Sequence, residues 1–457
     1  MSLSIASIPG AKECLTKIEE TAHERRLVLD DFFVIAPKKG RRNAPPLYLC
    51  NVVFQGGGVL GLAHVGFLAG LEHAGVRCAG VAGTSAGAIV ATGLACARRT
   101  DLYEPVAPKL LQLIATMPMG SFIDGPPVIR RVVKHVLNGY SVFRPSYWRG
   151  LLSSGLRVLR KRGLNPGHTF ENWLADAFAD FGVPDNRALS RDLQAIEFEL
   201  RNGVKARFGS SNRHQAGKFL VDPRQQPQLL RVVATGLPPG LKLVFPDGLK
   251  LLDRKYELAS PAVFVRASMA IPGFFEPRVL ELDRTNWTEE VWKRLEGLVA
   301  PKKIDEISGL AELQLVDGGL LSNVQVDAFE TMGRPPGRKR RLAAPPGTEG
   351  GQKARTVRAQ FPTVVATMVN WREEKHRPRK TLPGLLSDLV GLAQAVRLQR
   401  DRDAWWRITA DGNNDVKIVE IDTSKYNWLN FTMSEAEMGQ LFMAGLERSR
   451  EFLRDIK

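Results

Sequence analysis

The sequence predicts an α/β fold, a mostly parallel sheet with helices on its faces, from two buried strands and the helices that follow them. LYLCNVVFQ, residues 47–55, is a continuous apolar run of β-branched and aromatic types, the pattern of a strand covered on both sides. It runs straight into GGGVLGLAHVGFLAGLEHAG, where apolar residues return at helical spacing and Gly75 can close the helix. VRCAGVAG and SAGAIVATGLACARR then repeat the order, with Arg98 and Arg99 at the end that the helix dipole favours. Strand, helix, strand and helix with short connections is the order of a parallel sheet.

Elsewhere the pattern is less regular. LQAIEFEL (193–200), GVKARF (203–208) and LKLVF (241–245) alternate and read as strands. RASMAIPGFFEP (266–277) reads as an apolar loop held by Pro272 and Pro277. ELQLVDGGLLSN (312–323) reads as a strand entering a glycine turn, and FPTVVATMVNW (361–371) as another buried strand. LPGLLSDLVGLAQAVRLQRDR (382–402) has an amphipathic helical pattern. VKIVEIDT (416–423) is a strand, and the last helix opens with a capping box, Ser434 to Glu437. These readings divide the chain into a helical arm and linker over 1–46, a catalytic region over 47–332, a basic Pro/Gly-rich loop over 333–360, and a strand/helix segment over 361–457 packing on the catalytic region.

The chain has 457 residues, 44% of them hydrophobic and 25% charged, enough to bury a sizeable core. Its formal charge of +16 favours anionic partners or simple solubility. From Arg334 to Arg358 eight basic residues face one acid, Glu349, so that loop holds close to half of the excess. Four cysteines, Cys14, Cys50, Cys78 and Cys96, form no CxxC pair and neighbour no histidine, which argues against a zinc site. Three of them lie in apolar stretches as buried free thiols, which suits a reducing compartment. The N-terminus lacks a basic start followed by an apolar core, so no secretory signal is expected. The longest uncharged run, residues 78–97, is mostly Ala, Gly, Ser and Thr, and reads as a buried strand, turn and helix rather than a membrane span.

Two motifs carry chemistry. GGGVLG, Gly56 to Gly61, fits G-x-G-x-x-G after a strand, the dinucleotide fingerprint. That role needs an acid at the end of the next strand, and the next strand ends at Gly83. The same glycines can instead turn backbone N–H groups of a helix N-terminus toward the oxyanion of a tetrahedral acyl intermediate. GTSAG, Gly83 to Gly87, is a G-x-S-x-G motif between strand and helix, the setting of a nucleophile elbow. Ser85 would be the nucleophile, and it can cap the helix as well.

The usual base is a histidine, and the seven present offer none in a good position. His376, the only one after residue 214, lies in the charge run NWREEKHRPRK. His64 follows the glycine loop and reads as a core histidine or as a support for the site. An acid can serve if it touches the serine hydroxyl. Asp317 ends an apolar strand, and Gly318 and Gly319 allow the chain to turn sharply after it. Alone, it would be an Asp-Gly turn residue.

GGGVLG, GTSAG and DGG in this order resemble the patatin-like phospholipases, as do GLNPGHTFENWL (163–174), RASMAIPGFFEP and DGGLLSNVQVDAF (317–329). The resemblance covers roughly residues 50–370. It implies a three-layer sandwich with a mostly parallel central sheet, and hydrolysis of a fatty-acyl ester in a phospholipid or other glycerolipid through a Ser85–Asp317 dyad. The backbone of Gly57 and Gly58, within the loop Gly56, Gly57, Gly58 and Gly61, would hold the oxyanion. Gly83, Gly87, Gly318 and Gly319 would support the two motifs. No cofactor and no metal is implied. The family's loop often carries Arg or Lys where this chain has Leu60, which puts a head-group or structural contact in question but not the chemistry.

The stretch 141–162 interleaves aromatics with basic residues and has no acid. Arg144, Trp148, Arg149, Arg160 and Lys161 are its candidate contacts with an anionic membrane surface, the alternative being a solvated helix face. The expectation is a cytoplasmic enzyme associating peripherally with membranes. The competing class, a catalytically silent or nucleic-acid-binding basic protein on the same fold, has charge alone in its favour. No nucleic-acid partner is expected.

Overall fold

In the computed structural model, residues 3–32, 34–36, 47–127, 130–131, 160–199, 205–207, 230–238, 240–246, 248, 255–282, 310–326, 328–329, 362–368, 416–426 and 433–456 are described. The chain opens with helices α1 (Ala11–Glu24) and α2 (Arg26–Phe32) and a short strand β1 (Val34–Ala36). The predicted strand–helix repeat follows as β2 (Leu47–Phe54), α3 (Gly61–His73), β3 (Val76–Thr84) and α4 (Ala86–Arg98). Next come α5 (Ala107–Ala115), β4 (Gly163–Asn165), α6 (His168–Asp180), α7 (Asn186–Ala195), β5 (Glu197–Glu199), β6 (Lys205–Arg207), β7 (Leu230–Leu237) and β8 (Leu241–Phe245). The last part contributes α8 (Ala262–Ser268), β9 (Gly273–Phe275), β10 (Arg278–Glu281), β11 (Glu312–Asp317), β12 (Thr363–Met368), β13 (Val416–Ile421) and α9 (Glu435–Asp455).

The central sheet has the order β10-β11-β7-β3-β2-β12-β13, with β1 added to β2 and β8 to β7. The five adjacent strands β7, β3, β2, β12 and β13 run parallel. β1, β8, β10 and β11 join antiparallel. Every residue of β2, β3 and β12 is buried, as a sheet covered on both faces requires. The architecture is a mixed α/β fold with a mostly parallel sheet flanked by helices.

α3 lies in the core, with Gly61 through Glu72 all buried. α9 packs along it through Leu441, Phe442 and Leu446, none of them exposed. Burying each such side chain contributes on the order of 2 kcal/mol. The capping box of α9 is present, with Ser434 Oγ accepting from the Glu437 N–H at 3.3 Å. All four cysteines are free and buried, Cys14 included, and burial pushes the Cys78 thiol up to about 12.

The structure changes two sequence readings. The stretch from 193 is not one strand: α7 runs through Ala195, because Leu189 and Leu193 share a buried helical face and Asp185 caps the Ala188 N–H at 2.7 Å. Among the described residues of this stretch the strand is Glu197–Glu199. RASMAIPGFFEP is not a loop either. Its first three residues end α8, and after a turn at Met269–Pro272 its phenylalanines form β9. Phe264, Val265 and Ala267 bury one helix against the core before the first proline is reached. The 382–402 helix, the 333–360 loop and the 37–46 linker lie outside the described residues. Among the described residues no helix is long and apolar enough to cross a membrane.

Candidate active site

Ser85 stands where β3 turns into α4. Its backbone has φ 52° and ψ −120°, a conformation that costs an L residue on the order of 1–3 kcal/mol. Packing enforces it. A Cβ on Gly83 would fall 2.1 Å from the Gly87 carbonyl oxygen, and one on Gly87 would fall 2.1 Å from that of Phe54. The turn closes only where side chains are absent. One more tie comes from α8: the Ser85 N–H donates to Ser268 Oγ at 2.8 Å, and that hydroxyl donates to the Val233 carbonyl at 2.6 Å. Ser268 thus fastens the turn to the neighbouring strand β7.

Asp317 arrives from far along the chain at the end of β11. Antiparallel pairing sets it opposite Ala234 on β7, the strand beside β3. Its main-chain N–H donates to the Ala270 carbonyl at 2.9 Å. Its carboxylate then reaches the turn: Oδ2 accepts from Ser85 Oγ at 2.9 Å, and Oδ1 accepts from the Gly319 N–H at 2.7 Å. Met269 Sδ lies 3.4 Å from the same hydroxyl. Ser85 and Asp317 are 5% and 7% exposed, so little water competes for this bond. Gly318 passes so close to β7 that a Cβ would meet the Val233 carbonyl oxygen at 2.2 Å. A hydroxyl donating to a carboxylate is the starting geometry for proton transfer from nucleophile to base.

The glycine loop joins β2 to α3, with a 3-10 turn at Gly58–Leu60. Its glycines have different surroundings. The Gly56 N–H donates to the Asn323 carbonyl at 3.2 Å. Gly57 and Gly58 are half-buried, and their N–H groups make no hydrogen bond among the described residues. Gly61 opens α3 against Ala86 and Val90 of α4. Leu60 is buried in the core at 2% exposure. Met368, at the end of β12, lies over Gly57, where a Cβ would fall 2.3 Å from its Cε.

His64 Nε2 donates to the Gln55 carbonyl at 2.9 Å, and its ring packs on Phe54 at 5.2 Å between centroids. Burial without a charge partner pushes its pKa down to about 4, so the ring is neutral above that pH. Among the described residues no histidine hydrogen bonds Ser85. His376 lies outside them, as do Arg144, Trp148 and Arg149. Arg160 and Lys161 are described and exposed.

Polar residues that the sequence did not single out also converge here. Asn323 Nδ2 donates to the Gly56 carbonyl at 3.1 Å. Gln325 Nε2 donates to the Gly83 carbonyl and to Thr84 Oγ1, both at 3.1 Å. Ser268, Asn323 and Gln325 are buried polar residues inside otherwise apolar stretches, and that was the available signal.

The Patatin-like phospholipase family matches residues 52–330. The uncharacterized protein YqhO of Bacillus subtilis (strain 168) is 26% identical over 277 residues, 61% of this chain and 65% of that one. The chain therefore spans less than two thirds of the length of that curated relative. The crystal structure of VipD from Legionella pneumophila aligns with 93% of this chain and 70% of that one, at 14% identity and a TM-score of 0.35. The family match covers more than half of the sequence and takes in both the Ser85 turn and the Asp317 strand, so the chain belongs to the patatin-like phospholipases, a family of lipid acyl hydrolases.

Proposed function

We propose that the protein cleaves fatty-acyl ester bonds of phospholipids or other glycerolipids, with Ser85 as nucleophile and Asp317 as its base. The observation that carries this reading is the 2.9 Å hydrogen bond from Ser85 Oγ to Asp317 Oδ2 at a strained strand-to-helix turn. Ser85 Oγ attacks the acyl carbonyl carbon while its proton passes to Asp317. The N–H groups of Gly57 and Gly58, which have no other acceptor among the described residues, receive the negative charge that forms on the carbonyl oxygen. The ester C–O bond then breaks, and the proton on Asp317 goes to the departing alkoxide, leaving an acyl-enzyme. Water attacks the acyl carbon, gives its proton to Asp317, and the fatty acid leaves as Ser85 is reprotonated.

The fold favours this division of labour. β11 brings the base by strand pairing, and β3 and α4 present the nucleophile, so both come from the sheet rather than from free loops. In this reading residues 47–332 and the later β12, β13 and α9 form one catalytic unit, because β12 pairs with β2 and α9 packs on α3. The basic-aromatic stretch 141–162, with exposed Arg160 and Lys161 at its described end, draws the site to an anionic lipid surface, each basic residue contributing on the order of 1 kcal/mol.

The test is incubation with mixed phospholipid and glycerolipid vesicles, with products identified by mass spectrometry. The wild type should release fatty acid and lysolipid. Ser85→Ala should lower that release roughly 10⁴-fold while the protein stays folded. Equal release by wild type and Ser85→Ala would refute the assignment.

A further inference from the structure

The strand that brings Asp317 continues into a segment that also grips the glycine loop, through Asn323. Two hydrogen bonds join Asn323 to Gly56. Its main-chain carbonyl accepts from the Gly56 N–H at 3.2 Å, and its side-chain Nδ2 donates to the Gly56 carbonyl at 3.1 Å. The fit is close: a Cβ on Gly56 would fall 2.3 Å from Asn323 Oδ1 and 3.0 Å from Ser85 Cβ. Asn323 is 6% exposed, so neither bond is shared with much water.

The second bond has a chemical consequence. A peptide group is planar and trans, so the carbonyl of Gly56 and the N–H of Gly57 belong to one rigid unit and point in opposite directions. Holding the carbonyl fixes the direction of that N–H. A hydrogen bond donated to the carbonyl also polarises the peptide and makes its N–H a stronger donor. The preceding peptide is held as well. Its carbonyl, on Gln55, accepts from His64 Nε2 at 2.9 Å, and its N–H, on Gly56, donates to Asn323. Two consecutive peptide planes are therefore clamped at three of their four polar groups, and the fourth, the Gly57 N–H, has no acceptor among the described residues.

We propose that Asn323 is a positioning residue for the hydrolysis: its side-chain amide orients and polarises the Gly56–Gly57 peptide so that the Gly57 N–H serves as the oxyanion donor. This rests on the acyl-hydrolase reading above. It adds that the segment continuing from the strand that carries the base also sets the oxyanion hole, so both halves of the machinery are aligned from one segment. Asn323 itself does not touch the reacting atoms.

Asn323→Ala removes the side-chain donor, and Asn323→Asp keeps its shape while exchanging the amide for a carboxylate. Both are compared with wild type on a carboxylic ester and on the thionoester of the same acyl group and alcohol. Sulfur accepts hydrogen bonds weakly, so an intact oxyanion hole favours the oxygen ester, and a misdirected donor loses much of that preference. Each variant should lose about tenfold to hundredfold in kcat on the oxygen ester, with KM little changed. Its loss on the thionoester should be several-fold smaller. Thermal melting and circular dichroism report whether the variants fold. Equal losses on the two esters would mean a structural role only and would overturn the proposal, and so would wild-type kinetics in both variants. Should Asn323→Ala fail to fold, Asn323→Asp carries the comparison. Ser85→Ala run in parallel separates the two claims. If Ser85→Ala hydrolyses the esters like wild type, the site reading falls, and the role of Asn323 with it. If Ser85→Ala is inactive and the Asn323 ester ratios match wild type, only the present inference falls.

Discussion

Ser85 and Asp317 share one hydrogen bond, yet their backbones are fixed by different forces. Ser85 sits at φ 52°, where an L residue is strained, and is wedged there by Gly83 and Gly87 against the carbonyls around them. Asp317 sits at φ −48° and ψ 129°, an ordinary conformation, and is aimed by strand pairing and by hydrogen bonds from Gly319 and to Ala270. At the nucleophile turn the strained backbone is held chiefly by volume, with the Ser268 hydrogen bond beside it, whereas the base, next to a tightly packed Gly318, is aimed chiefly by strand pairing and polar contacts. The two halves should therefore respond to different substitutions.

The largest stability effect is expected on the nucleophile side. Gly87→Ala adds one methyl where the nearest carbonyl oxygen would be 2.1 Å away, and β2 and α4 must separate to admit it. A loss of about 3 kcal/mol or more in urea unfolding is expected. A smaller loss would show that the turn is looser than its contacts imply.

Where the segment after the base meets the nucleophile turn, a change of similar size should act through hydrogen bonding. Gln325→Leu keeps the bulk but leaves the Gly83 carbonyl and Thr84 Oγ1 without the amide donor. The expected cost is about 1–3 kcal/mol, with less effect on stability than Gly87→Ala. Were the order reversed, the contrast between volume and polarity would be wrong.

The smallest expected effect has the opposite sign. Ser85→Gly relieves the strained φ, and calorimetry should show a gain of up to about 1 kcal/mol, less than the strain itself because glycine loses more entropy on folding. Loss of stability would mean that the Ser85 hydroxyl contacts outweigh the strain.

This contrast also explains how much could be read from the sequence. The elbow half is local: β2, the glycine loop, α3, β3, Ser85 and α4 are contiguous, and their apolar spacing and glycine placement carry the pattern directly. The antiparallel position of β11, which delivers Asp317, depends on pairing with β7 far away in sequence, and no local period encodes it. DGG marked a turn and left its neighbours unstated. Ser268 and Asn323 lay inside stretches already notable for their shape, but a single polar residue in an apolar run does not say which loop it will meet. The errors at 193–200 and 266–277 have a related cause, since short apolar runs fit helix and strand alike until packing decides.

Fluorophosphonate labelling addresses the pairing of Ser85 with Asp317 most directly. The serine oxygen displaces fluoride from phosphorus, and mass spectrometry of the digested protein locates the adduct. The adduct should form on Ser85, and Asp317→Asn should slow its formation by roughly 10³-fold or more without unfolding the protein. Labelling at another residue, or a wild-type labelling rate in Asp317→Asn, would contradict the account.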